Sequence, residues 1–138
     1  MYPMNSEYLT GITVLDEQHS QLFRLTDEAQ TLLKDENMLY KFDDLEKIMK
    51  ELRDYTFSHF IEEEAFMAKS LYAKIDEHKK LHQIFVDNLN QIEEEISRIS
   101  LGTQDSILSE LLACLTEWLQ KHILVIDQEM VKEAGSAV

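Results

Sequence analysis

Four long stretches of this chain carry apolar side chains at a helical period, and few residues interrupt them. Apolar residues recur at steps of three and four over about residues 16–35, 40–67, 73–100 and 103–133. The 138 residues include three glycines and one proline, which suits long helices better than a sheet with many tight turns. Short connections between long helices force neighbouring helices to run antiparallel. The sequence therefore predicts an all-α fold, an antiparallel up-down-up-down four-helix bundle.

The N-terminal segment lacks this period and is predicted to be an extended arm. We assign residues 1–15 to the arm, with Gly11 as its turn, and residues 16–134 to the bundle, within a single domain spanning 1–138. Thr103 follows Gly102 and is predicted to be the N-cap of the fourth helix. On that helix, Val125 is predicted to face the core.

Composition narrows the classes of partner. The formal net charge is −14 and no basic patch is evident, which disfavours nucleic acid and anionic membrane surfaces. The N-terminus has neither a basic nor an apolar signal region, and no apolar run approaches the roughly 20 residues that span a bilayer. We therefore expect a soluble, cytoplasmic protein. Cys114 is the sole cysteine, which rules out an intrachain disulfide, and it is predicted to be a small buried hydrophobe.

Polar residues interrupt the apolar stripes at positions that suit a metal. All five histidines and one glutamate fall on the predicted buried faces: His19, His59, Glu63, His78, His82 and His122. An unpaired buried carboxylate costs several kcal/mol, so something must compensate for it. A metal centre does this directly, because it binds neutral imidazole and ionised carboxylate.

The spacing of these residues supports a shared centre. His59 and Glu63 are four residues apart, as are His78 and His82, so each pair lies on one side of its helix. Asp127 follows His122 by five residues, about 140° around a regular α-helix. Either the helix carries a local π-type bulge, or the aspartate reaches another side of a larger centre.

The types and the number of these donors limit which metal ions the site can bind. Imidazole and carboxylate together suit iron, zinc, copper or nickel. Seven donors are too many for one tetrahedral zinc ion and about right for two six-coordinate metals that share carboxylate bridges.

The motifs around these donors resemble those of the hemerythrins, specifically the bacterial single-domain hemerythrin-like proteins. They occur in the family's order, one on each predicted helix: Leu15-Asp16-Glu17-Gln18-His19, His59-Phe60-Ile61-Glu62-Glu63-Glu64, His78-Lys79-Lys80-Leu81-His82, and Trp118-Leu119-Gln120-Lys121-His122-Ile123 followed by Asp127. The segment from Met67 to Tyr72 also resembles the family's approach to the third helix. Met4 stands about where the family's arm commonly has a tryptophan.

The resemblance implies a non-haem di-iron centre with an oxo or hydroxo bridge. One iron would be bound by His78, His82 and His122, and the other by His19 and His59. Glu63 and Asp127 would bridge both. With the oxo or hydroxo bridge counted at both irons, the first iron has six bonds and the second has five, and the open position is where O₂ can bind. The resemblance also implies that Leu22, Phe60, Trp118, Leu119 and Ile123 line the O₂ pocket, although plain core packing explains these residues equally well.

The function implied is reversible O₂ binding, for storage, delivery or scavenging, with no catalytic residue. An O₂ or redox sensor acting through a protein partner, and a di-iron enzyme that turns over peroxide or nitric oxide, remain alternatives. Ferritin-like di-iron proteins use Glu-x-x-His motifs, and none occurs at the predicted ligands. The acidic residues Glu62, Glu64 and Glu93–Glu95 are predicted to be solvated helix faces.

Overall fold

The computed structural model describes residues 8–136, with side chains described through residue 134. All regular structure in that range is helical, and it contains no strand. The elements are α1 (Thr13–Lys34), α2 (Phe42–Lys69), α3 (Ile75–Ile96), α4 (Gln104–Glu117), a π-helical stretch (Trp118–Asp127) and α5 (Gln128–Ser136). The last three elements join without a break in helical backbone and form the fourth helix of the bundle. The helix α1 packs against α2 and α4, and α3 packs against the same two helices, which confirms the predicted four-helix bundle.

The entry into α1 differs from the prediction. The helix begins at Thr13 rather than at residue 16, so the arm ends at Ile12. Gly11 forms the predicted turn, since its φ of +86° lies in the left-handed region that glycine adopts readily. The carboxylate of Asp16 accepts hydrogen bonds from Thr10 N at 2.8 Å and Gly11 N at 3.1 Å, which fixes this turn against the helix. Residues 1–7 of the arm, Met4 included, lie outside the described residues.

A buried lysine ties the α1–α2 connection to the start of α4 at one end of the bundle. Lys41 Nζ donates to the carbonyl of Leu33 at 3.2 Å and to Asp105 Oδ1 at 2.9 Å. Gln104 Oε1 accepts from Lys41 N at 3.0 Å, and Gln104 Nε2 donates to the carbonyl of Leu39 at 2.8 Å. These bonds hold the α1–α2 connection against the start of α4.

The prediction for Thr103 is only half right. It is the residue that precedes α4, but its side chain makes no capping bond to the helix. Thr103 Oγ1 instead accepts a hydrogen bond from Ser100 N at 2.9 Å, which closes the preceding turn. At the other end of the bundle, Leu71 connects α2 to α3 with a φ of +56° and an exposed side chain.

The hydrophobic core is divided into two clusters. The larger fills most of the bundle, and the smaller consists of Leu15, Met67, Tyr72, Met130 and Ala134. Along each helix, a buried polar residue separates the two clusters: His19 lies between Leu15 and Leu22, and Glu63 between Phe60 and Met67. The polar residues therefore form a layer near one end of the bundle. None of the helices within residues 8–136 is both long enough and apolar enough to cross a membrane.

Candidate metal centre

The structure brings all seven predicted donors together in the polar layer. Each of them is at most 2% exposed: His19, His59, Glu63, His78, His82, His122 and Asp127. Their donor atoms form two groups, and within each group the atoms lie within 4.8 Å of one another. One group contains His78, His82 and His122 and is called the three-His group. The other contains His19 and His59 and is called the two-His group. Both groups include Glu63 and Asp127.

The carboxylate of Glu63 faces both groups, one oxygen to each. Glu63 Oε1 lies 2.7 Å from His78 Nε2 and 2.9 Å from His82 Nε2. Glu63 Oε2 lies 3.1 Å from His59 Nε2. A carboxylate placed in this way can bridge two ions.

Asp127 is placed in the same manner from the opposite side of the bundle. Its Oδ1 lies 3.0 Å from both His78 Nε2 and His122 Nε2. Its Oδ2 lies 3.2 Å from His19 Nε2. Two carboxylates thus each present one oxygen to the three-His group and the other to the two-His group.

The π-helical stretch explains how Asp127 reaches the centre. Hydrogen bonds from residue i to i+5 widen the turn, so a five-residue step from His122 to Asp127 returns to about the same face. Of the two sequence-based alternatives, the π-type distortion is the one observed. The same distortion overturns the prediction for Val125, which is 49% exposed, because the wider turn rotates it away from the core.

The charges in this layer are mutually stabilised. Burial raises the pKa of Glu63, but hydrogen bonds from the surrounding histidines outweigh it and hold that pKa well below its usual value. Burial and the charge of Glu63 raise the pKa of Asp127, yet His122 and His19 bring it down to about 2. For His78, burial lowers the pKa, but the adjacent carboxylates of Asp127 and Glu63 raise it to about 9. Both carboxylates are therefore ionised, as metal ligands must be.

Two histidines are oriented by partners outside the donor set. His82 Nδ1 donates to Glu64 Oε2 at 2.8 Å, and His59 Nδ1 donates to Gln18 Oε1 at 2.8 Å. A hydrogen bond at Nδ1 fixes the tautomer and directs the Nε2 lone pair towards the centre. The prediction that Glu64 belongs to a solvated helix face is only half right, because its side chain is 31% exposed and belongs to neither donor group, but it contacts a donor. The available signal was its position beside Glu63, one helical step from the buried face.

Aromatic rings cover the donors on the side of the larger cluster. Phe60 stacks on His82 with ring centroids 3.8 Å apart, and Trp118 stacks on His122 at 3.7 Å. All five residues predicted to line the O₂ pocket are buried in the larger cluster: Leu22, Phe60, Trp118, Leu119 and Ile123. Their surroundings are consistent with both a pocket wall and core packing.

Several buried donor atoms have no hydrogen-bond partner among the described residues, which tests whether a metal fits. They include His19 Nε2, His59 Nε2, His122 Nε2, Glu63 Oε2 and both carboxylate oxygens of Asp127. Buried polar atoms in proteins nearly always have partners, so such a cluster requires a reason. Apart from the contacts of His78 and His82 with Glu63, these imidazole and carboxylate atoms converge without forming hydrogen bonds, which is what metal ions need, so the residues fit a metal site.

One protein-family model matches most of the chain. Residues 10–134 match the family described as the hemerythrin HHE cation-binding domain. The chain belongs to the hemerythrin family. Members of this family bind O₂ at a di-iron site and are generally O₂-binding proteins rather than enzymes. The buried cluster of histidines and carboxylates agrees with the family's iron-binding character.

Individual relatives within the hemerythrin family support the assignment over most of the chain. A bacteriohemerythrin of Clostridium acetobutylicum is 32% identical over 131 residues, covering 95% of this chain and 99% of that protein. A myohemerythrin of Theromyzon tessulatum is 31% identical over 110 residues, covering 79% of this chain and 73% of that protein. Hemerythrin subunit 1 of Golfingia vulgaris is 36% identical over 89 residues, covering 64% of this chain and 68% of that protein. No solved structure gives a significant match.

Proposed function

We propose that this chain binds O₂ reversibly at a di-iron centre, for storage, delivery or scavenging. The observation that supports this proposal most strongly is that two groups of donors share both carboxylates, with opposite oxygens facing opposite groups. In this proposal His78, His82 and His122 hold one iron, His19 and His59 hold the other, and Glu63 and Asp127 bridge them. The two irons, when bound, supply the electrons that O₂ binding requires.

The protein's own contribution is to position the donors and to exclude water. Burial of all seven donors keeps them dry, and the partners of His59 and His82 keep each Nε2 lone pair directed at the centre. We propose that Leu22, Phe60, Trp118, Leu119 and Ile123 form an apolar wall around the O₂ site, which would keep water and protons away from it. A side-chain acid or base is not part of the proposal.

The test is anaerobic reduction of the iron-loaded protein, followed by titration with O₂ and then by its removal. We expect a visible absorption band that grows with O₂ and disappears when O₂ is withdrawn. A band that never reverses would contradict reversible binding. Rapid consumption of added hydrogen peroxide would instead favour the enzymatic alternative. The expected cytoplasmic location stays a prediction.

Metal analysis tests the ligand set separately. We expect two irons per chain, and a single zinc ion would contradict the assignment. His82→Ala should reduce the iron content, because it removes a donor of the three-His group. Gln83→Ala is the matched control, since Gln83 is exposed on the same helix and its amide donates to Asp87 Oδ1 at 2.9 Å. Normal iron content and a normal spectrum in His82→Ala would show that the ligand set is wrong.

A further inference from the structure

A tyrosine hydroxyl lies buried beside the metal centre without a partner. Tyr55 is 8% exposed, and no described residue forms a hydrogen bond with its Oη. Its ring stacks on that of His59, with centroids 5.3 Å apart and planes inclined by 10°. A buried hydroxyl without a hydrogen bond is costly, so its presence in a packed core needs an explanation.

The position of Tyr55 places it in the layer that borders the donors on the side of the larger cluster. Neighbouring helices are antiparallel, so a step forward along α1 or α3 and a step backward along α2 or the fourth helix lead in the same direction. One turn beyond the donors, residues three after His19 and His82 therefore lie level with residues three or four before His59 and His122. The former are Leu22 and Phe85, and the latter are Tyr55 and Thr56 on α2 and Trp118 and Leu119 on the fourth helix. All of these residues except Thr56 belong to the larger hydrophobic cluster. Tyr55 and Thr56 both place a buried hydroxyl without a hydrogen-bond partner in this layer, and Tyr55 is the one whose ring stacks on a donor histidine.

The indole of Trp118 is another buried hydrogen-bonding group of this layer without a partner, but it lies on the other side. Trp118 Nε1 makes no hydrogen bond with the described residues, and its ring stacks on His122, a member of the three-His group. Tyr55 stacks on His59, a member of the two-His group. The two-His group has four protein donors and the three-His group has five. The group with more room for an external ligand is therefore the one beside Tyr55.

The hydroxyl is also in the correct state to donate. A tyrosine phenol is neutral throughout the physiological range at its ordinary pKa of about 10, so it has one proton available for a hydrogen bond.

We propose that the Tyr55 hydroxyl donates a hydrogen bond to the external ligand bound at the two-His group, so that Tyr55 is a ligand-binding residue. The ligand class is a small molecule with an acceptor atom, namely O₂ or a small anion such as azide. This inference rests on one part of the proposed function, the presence of iron at the centre. It does not require O₂ binding to be reversible, because small anions would bind at the same position.

The test compares wild-type protein with Tyr55→Phe and with Tyr72→Phe as the matched control. Tyr72 is also 8% exposed and contacts a donor ring, that of His78, but it lies in the smaller cluster on the opposite side of the centre. Each oxidised, iron-loaded protein is titrated with azide and followed by visible absorption. Loss of one hydrogen bond should weaken azide binding by about tenfold in Tyr55→Phe, whereas Tyr72→Phe should bind azide as the wild type does.

A second measurement needs no metal. If the hydroxyl has no partner within the protein, the urea midpoint of metal-free Tyr55→Phe should equal or exceed that of the wild type. A lower midpoint would overturn the inference, because it would show that the hydroxyl stabilises the fold itself. Unchanged azide affinity in Tyr55→Phe, equal weakening in Tyr72→Phe, or failure of Tyr55→Phe to bind two irons would overturn it as well. Irreversible O₂ binding by the wild type, accompanied by the expected azide result, would contradict the proposed function alone.

Discussion

Glu64 offers the sharpest test of how the protein tunes its metal centre. Its carboxylate accepts a hydrogen bond from His82 Nδ1 at 2.8 Å, while His82 Nε2 lies 2.9 Å from the shared Glu63 oxygen. A carboxylate in this position makes the imidazole a stronger ligand and fixes its orientation. Glu64→Gln keeps an acceptor oxygen but removes the charge, and Glu64→Ala removes both.

The structure indicates the size of the effect. Loss of such an outer partner costs about 10- to 100-fold in metal affinity, or about 1.4–2.7 kcal/mol. The side chain of Glu64 is 31% exposed, so water screens its charge in part. We therefore expect Glu64→Gln to fall at the lower end, about tenfold, and Glu64→Ala nearer the upper end.

The assay is anaerobic competition for Co²⁺ or Fe²⁺ between each protein and a chelator of known affinity. Glu62→Gln is the control, since Glu62 is exposed, two positions away, and its substitution changes the net charge equally, from −14 to −13. Equal losses of affinity in Glu62→Gln and Glu64→Gln would show that overall charge, and not the bond to His82, sets the affinity.

Three further predictions concern stability. In the metal-free protein the pKa of His78 is raised to about 9, so the protonated imidazole contributes stability that is present below pH 6.5 and is lost as the pH rises through 9. The urea midpoint should therefore fall over that interval in the wild type and fall less in His78→Gln. An equal fall in both proteins would refute the assignment. Leu71→Gly should stabilise the fold by about 1 kcal/mol, because an L-residue pays that cost at a positive φ; an unchanged or lower thermal midpoint would argue against it. Leu111→Ala, at a fully buried position, should destabilise the fold by about 2–5 kcal/mol in urea unfolding, and a loss under 1 kcal/mol would contradict the packing described.

The sequence alone predicted the bundle and which polar side chains lie in its interior. Periodic apolar residues specify helices because burial of one helix face depends on local spacing, and short connections leave little choice but antiparallel packing. Six of the seven candidate donors could be predicted because buried charge is so costly that polar residues on an apolar stripe require a shared partner. Asp127 did not lie on such a stripe, and its prediction depended on the family resemblance.

Only the tertiary structure decided how the candidate donors are oriented and which other side chains contact them. The exposure of Val125 and the inward turn of Asp127 follow from π-helical geometry, which the sequence admitted as one of two alternatives. The contact of Glu64 with His82 depends on how α2 and α3 lie side by side, and no residue spacing within one helix encodes it. The sequence likewise could not show that the Tyr55 hydroxyl has no hydrogen-bond partner, because this depends on which side chains pack around it. Local periodicity fixes which face of each helix is buried, whereas the register between helices fixes which atoms meet.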